Sequence, residues 1–296
     1  MKIGLGAPVS GAWATPENLG RFAARAEELG YDSLWTFQRL LVGADDRLDA
    51  VYQSVLDPVL ALTYAAAHTS RIRLGVALLN LPFVSPVVVA KQAATLDVLS
   101  HGRLDLGLGT GWSPTEFTAT GADKARRGAR AEEYVQVLRT LWNDDVASFD
   151  GEFYTVPPSR MAPRPVQPGG PPILLGGAVP AALERAGRLA AGWMSRSATD
   201  LDRIHDDITI VRAAAPDPDA VRVVVRGVVK AGAPREGRLT GSYDDIRADA
   251  EWLGEQGVTE LYYDLNWDDQ VGNPDVPVAA ATERAAEIIE ALAPRG

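Results

Sequence analysis

Apolar and polar positions along the chain repeat one unit, a short apolar run followed by an amphipathic helical pattern. The first run covers 3–7. Thr15 and Pro16 then form an N-cap and first-turn pair, and Leu19, Phe22, Ala23, Ala26 and Leu29 follow at helical spacing until Gly30 closes the helix. Further strand-like runs fall at 33–37, 72–79, 104–108, 173–175, 192–195, 221–229 and 260–265. Asp57-Pro58, Ser85-Pro86 and Ser242 mark helix starts. Ala131, Tyr134, Val135, Leu138, Leu141 and Trp142 define one buried helical face, Leu201, Ile204, Ile208 and Val211 another, and 278–292 reads as a closing helix.

Eight strand–helix units in 296 residues predict an α/β protein, a single parallel (β/α)8 TIM barrel over 1–296, with a doubly wound open sheet as the alternative. The runs are continuously apolar, as strands are when both faces of a parallel sheet are covered. Long segments at 38–56, 230–241 and 266–277 follow strands two, seven and eight. They belong at the C-terminal mouth, where such barrels keep their sites. A Pro-rich insertion, 143–171, falls between helix four and strand five instead. It is expected on the opposite face as structural covering, with a hairpin turn at 149–153.

Composition trims the function classes. A hydrophobic content of 46% is ordinary for a globular core, and 29 basic against 39 acidic residues give a net charge of -10. Nucleic acid and anionic membranes need a concentrated positive patch, so neither is an expected partner. The chain has no cysteine, which removes disulfides and thiolate chemistry. His68, His101 and His205 lack the spacing of a zinc site. His68 is expected to meet the last carbonyls of its helix, and His101 to lie on the far face. The first residues read as a strand rather than a signal peptide, and no apolar run approaches the ~20 residues of a membrane helix. The expected location is cytoplasmic.

Two glycine-rich junctions stand out: Gly107, Gly109, Thr110 and Gly111 after run four, and Gly176-Gly177 after run five. Glycine there lets the backbone approach a ligand, and amides at the next helix start can hold a phosphate. The plainer reading is tight barrel turns. Two junctions on one face favour a phosphorylated cofactor. No Ser-His-Asp, Schiff-base lysine or paired-carboxylate pattern is recognisable, and Pro114 breaks a Gly-x-Gly-x-x-Gly match. The demanding chemistry therefore falls to an organic cofactor.

The stretch 74–121, LGVALLNLPFVSPVVVAKQAATLDVLSHGRLDLGLGTGWSPTEFTATG, resembles the luciferase-like monooxygenase superfamily, especially its coenzyme F420 (deazaflavin)-dependent branch. Supporting matches are GYDSLW at 30–35, RGAR at 127–130, PPILLGG at 171–177 and GW at 192–193, in the family's order. The resemblance implies a cis peptide at Ala77-Leu78 behind the flavin ring and a contact from Asn80 to the ring edge. It implies a cofactor loop at Gly109, Thr110 and Gly111, phosphate binding at Gly176 and Gly177, and a homodimer packed through barrel helices.

Departures from the family pattern sharpen the site. Many deazaflavin-dependent relatives carry an Asp-His pair after strand two, where this chain has Gln38-Arg39. Gln38 can hydrogen-bond a cofactor but is no acid or base near neutral pH. Arg39 stays charged and would orient an anionic substrate or stabilise a reduced flavin. Trp112 stands where the sugar-phosphate dehydrogenase branch has Glu, which speaks against that reaction; it could wall the pocket or pack under the rim. Glu116 could bind substrate or sit at a helix N-terminus. Arg196 could meet an anionic tail or substrate, or stay solvated, and Trp13 and Trp267 could line an apolar pocket.

The leading expectation is hydride transfer between coenzyme F420 and a small organic substrate. The alternatives are an FMN-dependent monooxygenase using O2 in the same pocket, and a barrel that binds a flavin without catalysis. The oligoglutamyl tail of the deazaflavin is anionic, and this acidic chain offers few basic residues near the mouth.

Overall fold

The computed structural model describes residues 1–295, and each apolar run becomes a strand of one closed parallel barrel. In chain order, β1 (Lys2–Gly6), α1 (Pro16–Glu28), β2 (Ser33–Thr36), α2 (Pro58–Ala67), β3 (Arg73–Asn80), α3 (Pro86–Leu99) and β4 (Leu104–Gly109) build the first half. A short α4 (Pro114–Thr120), α5 (Arg127–Asn143) and the hairpin β5 (Ala147–Asp150) with β6 (Thr155–Ser159) come next. The second half is β7 (Ile173–Gly176), α6 (Pro180–Leu189), β8 (Gly192–Met194), α7 (Ile204–Ala214) and β9 (Arg222–Val228). A small parallel pair, β10 (Lys230–Ala231) with β11 (Thr240–Gly241), precedes α8 (Tyr243–Glu255), β12 (Glu260–Asp264) and α9 (Val278–Ala291). The barrel closes in the order β1-β12-β9-β8-β7-β4-β3-β2, which settles the choice against an open sheet. Among the described residues no helix is long and apolar enough to cross a membrane.

The helix starts follow local chemistry. Thr15 accepts from the Asn18 amide, Asp57 from the amides of Val59 and Leu60, and Ser242 with Asp245 forms a capping box. His68 departs from expectation: its imidazole lies against Gly20 of α1, where a Cβ would come within 3.2 Å of the ring. The residue is exposed, and its ring lies tilted against Tyr64 with centroids 4.7 Å apart. His101 is exposed in the turn before β4, away from the mouth.

The insertion also differs in part. Its Pro-rich stretch is tied to the far face, where the Asp97 carboxylate near the end of α3 accepts from the Val166 and Gln167 amides. Its hairpin turn climbs back along α5. Glu133 accepts from the amides of Glu152 and Phe153, and Arg126 at the start of α5 pairs with Glu152. Tyr154 packs edge-on against Tyr134, with ring centroids 5.6 Å apart, so the hairpin buries its apolar face on α5 instead of staying below the barrel.

Inside, the barrel is layered. Alternate residues of each strand point inward. The floor is an ion network in which Arg73 and Arg222 reach Asp105 at 2.7 and 2.6 Å, while Arg222 also meets Glu260 at 3.0 Å. Glu260 further accepts from Ser33 and the Trp35 indole. Burial opposes ionisation of Asp105, but the two arginines outweigh it and hold the carboxyl below its usual range. Above the floor sits an apolar layer of Trp35, Ala77, Leu174, Met194, Val224 and Tyr262. Gly75 makes room for it: a Cβ there would lie 2.2 Å from the Trp35 ring.

Candidate active site at the barrel mouth

The strand ends bring most of the expected residues to one mouth. The Ala77–Leu78 peptide at the end of β3 is cis. The Leu78 side chain turns into the barrel, filling the space that a Cβ at Gly107, Gly109 or Gly176 would occupy. Gln38 ties β2 to β3 by accepting from the Asn80 amide at 2.9 Å. The loop at Thr110 and Gly111 is fixed by Arg127, which donates to the Gly111 carbonyl at 2.7 Å. Gly177 is held by the Trp193 indole, which donates to its carbonyl at 2.9 Å. β3, β4 and β7 are consecutive neighbours in the barrel, so Ala77, Leu78, Asn80, Gly109, Thr110, Gly111, Gly176 and Gly177 form one continuous arc.

Arg39 and Glu116, both expected to face a ligand, face each other. Their ion pair is 2.7 Å long and almost wholly buried, and the second Glu116 oxygen accepts from the Leu40 amide at 2.7 Å. Glu116 therefore presents no free oxygen to a substrate. The Arg39 guanidinium lies between two rings, 4.7 Å from Tyr52 and 4.4 Å from Trp112. Trp112 is 49% exposed and forms the outer wall of this sandwich.

A second cation was missed by the sequence reading. Arg226 of β9 points up the barrel axis, donates through Nε to Asp264 at 2.6 Å, and lies under the Phe37 ring at 4.5 Å. Its Nη2 is also 2.6 Å from Asp264, yet off the hydrogen-bonding direction, and among the described residues it has no acceptor. The Tyr262 hydroxyl and the Trp267 indole N–H are likewise buried without partners among the described residues. Burial opposes the Arg226 charge, but the neighbouring Asp264 carboxylate prevails and raises its pKa. Burial pushes the Tyr262 phenol up, so it remains a neutral donor. A signal was available in the sequence: 222, 224 and 226 share strand parity, so both arginines of that run fall on one face of the strand.

Tyr52 joins the two cations. Its ring sits edge-on to Trp112, Trp267 and Phe37, at 6.0, 5.5 and 6.4 Å. Its loop is stitched to the first strand's loop by Ser10, whose hydroxyl donates to the Val51 carbonyl. Trp13 and Arg196 stand apart from the cluster. Trp13 is fully buried and donates to Asn266 at 3.0 Å, and Arg196 is exposed beyond β8. A cleft of about 590 Å³ lined by Met1, Ile3, Asp32 and Arg247 opens at the strand starts, on the face opposite this chemistry.

A closed parallel barrel with its glycine junctions, cis peptide and arginine–aromatic cluster gathered at one mouth defines a (β/α)8 protein with a C-terminal-face site. The chain belongs to the luciferase-like monooxygenase family, whose model matches residues 3–287. An uncharacterized protein of Mycobacterium tuberculosis is 34% identical over 251 residues, 84% of this chain and 78% of the relative. An F420-dependent glucose-6-phosphate dehydrogenase of Kineococcus radiotolerans is 34% identical over 202 residues, 67% of this chain and 58% of that protein. The monooxygenase RslO1 from Streptomyces bottropensis shares the fold, with a TM-score of 0.80 at 24% identity over 99% of this chain and 98% of that one.

Proposed function

We propose that this chain is an oxidoreductase that transfers a hydride between coenzyme F420 and a small organic substrate. The carrying observation is the arc of β3, β4 and β7. It sets the partly buried apolar Leu78 beside the accessible backbone of Thr110–Gly111 and Gly177–Ala178, just before the first turn of α6. An apolar shelf next to free backbone suits a planar ring with a phosphorylated chain. Arg127 adds a cation at that arc. The bound deazaflavin would supply the hydride chemistry. The protein's residues would orient it: Asn80 and Gln38 at the ring edge, the two glycine junctions at its phosphorylated chain, and the Trp112 face of the Arg39 sandwich as a wall across the mouth.

The relative from Kineococcus supports the deazaflavin by its name, but its sugar phosphate is not carried over. Trp112 occupies the position of the expected Glu, and the nearby Glu116 is consumed by Arg39. One observation favours the second reading, an FMN-dependent monooxygenase. Several basic residues near the arc are already paired, Arg126 with Glu152 and both Arg185 and Arg188 with Glu132, leaving less charge for an oligoglutamyl tail. Fluorescence titration of the purified chain with coenzyme F420 and FMN separately, at fixed salt, tests the choice. Deazaflavin binding at least about tenfold tighter than FMN, a gap of about 1.4 kcal/mol, is expected. The reverse order would move the assignment to the monooxygenase, and binding of neither would sink the cofactor reading.

A further inference from the structure

We propose that the side of the mouth facing the cofactor arc grips the carboxylate of a small aromatic or apolar acid through Arg226, Tyr262 and Trp267. The inference rests on the reading that the cofactor takes the β3–β4–β7 arc. In the closed order of the barrel, β9 and β12 lie across from that arc, with only β8 intervening on one side and β1 and β2 on the other. A cofactor on one arc leaves the other free for a substrate.

The chemistry of that second arc is one-sided. Arg226 and Tyr262 are register partners on adjacent strands, and the Arg226 guanidinium is 5.7 Å from the Trp267 ring. Tyr262 Oη and Trp267 Nε1 each lack an acceptor among the described residues, and Arg226 Nη2 meets only the Asp264 oxygen that already accepts from its own Nε. A buried donor without an acceptor is costly, so an acceptor from outside the chain would satisfy the phenol and the indole beside the Arg226 charge. Asp264 cannot swing in to meet them. Its Oδ1 already accepts from the Asn266 backbone at 3.1 Å and side chain at 2.8 Å, and its Oδ2 from Arg226.

A carboxylate is acceptor-only and offers about four lone-pair positions, enough for three donors. An amide, alcohol or amine would bring its own hydrogens against them. The remaining walls, Phe37, Tyr52 and Trp267, are aromatic and suit a flat or apolar body on that carboxylate.

The test is calorimetric titration of the purified chain with benzoate and with its neutral isostere benzamide. Benzoate is expected to bind at least about tenfold tighter, the scale of one charge-assisted hydrogen bond. Tyr262→Phe and Trp267→Phe each remove one donor while keeping a ring, and each is expected to weaken benzoate about fivefold or more while leaving benzamide within about twofold. Thermal melts confirm that both variants fold. Equal affinity for the two probes, or benzoate binding unmoved in both folded variants, would overturn the proposal. Coenzyme F420 titrated into the same samples separates the two readings. Retained F420 binding without a benzoate preference defeats this inference alone. Loss of both F420 and FMN binding with the benzoate preference intact defeats the cofactor reading alone.

Discussion

Gly176→Ala tests why the mouth is lined with glycine. A Cβ at Gly176 would lie 2.2 Å from Leu78 Cδ1, 3.4 Å from Cγ and 3.6 Å from Cδ2. Comfortable carbon contacts are about 3.5–4.0 Å, so Leu78 must retreat by roughly 1.5 Å. The same side chain also lies close over Gly107 and Gly109, where an added Cβ would meet it at 2.9 and 3.1 Å. Overpacking of this kind costs about 1–3 kcal/mol and would lower the melting temperature by about 2–4 °C per kcal/mol. The escape left to Leu78 is toward the mouth, which should weaken F420 or FMN binding as well. Leu78→Ala removes the clash, so the double variant should recover about 1–2 kcal/mol relative to the sum of the singles. Thermal and urea melts of the four proteins, with cofactor titrations beside them, give both readouts. If Gly176→Ala leaves the apo-protein's stability unchanged yet abolishes cofactor binding in both backgrounds, the glycine serves ligand approach and the packing argument is wrong.

Two further outcomes follow from other parts of the molecule. Glu27 accepts from the amides of Ser70, Arg71 and Ile72 just before β3. Burial opposes its charge, yet these amides prevail and hold its pKa at about 2, below the usual 4.5. A depressed carboxyl stabilises fully above its unfolded value and loses that contribution as pH falls through the folded one. The advantage of wild type over Glu27→Gln, about 1–2 kcal/mol after solvent screening, should therefore shrink between pH 4.5 and pH 2, and a gap constant across that window in parallel melts would refute it. On the outer surface, Leu60 of α2 is 71% exposed, and Tyr64 of α2 with Val87, Val88 and Leu99 of α3 are exposed as well. Helices apolar on their outward faces want a partner, and we propose a second copy of this chain. Leu60→Glu with Val88→Glu should yield a folded monomer by light scattering, whereas a monomeric wild type or an undisturbed dimer would reject the interface.

The barrel was legible because a strand and a helix each leave their own period in the sequence, and Pro-initiated helices punctuate them. What sits at the mouth was legible wherever position along a strand decides it, as for Gln38, Asn80, Thr110 and Gly177. Partnership was not. Arg39 and Glu116 are 77 residues apart, and nothing local to either says that they neutralise each other. Trp13 left the expected pocket because its indole found Asn266, 253 residues away. The hairpin at 147–159 rose toward the mouth because Tyr154 needed Tyr134 for cover. Arg226 was hidden by its surroundings: a run of valines reads as core, and core masks the inward charges within it.

The two arginines of β9 make the functional argument sharper. Arg222 and Arg226 stand four residues apart on one strand, both inside the barrel and both paired with carboxylates. At the floor the network closes on itself: Asp105 takes two arginines, and Glu260 takes Arg222, Ser33 and Trp35. At the top Arg226 has the single carboxylate of Asp264, and the Tyr262 hydroxyl and Trp267 indole beside it hold donors that no described residue accepts. On the proposed reading, these are the donors that a carboxylate would meet at the end where such barrels bind ligands.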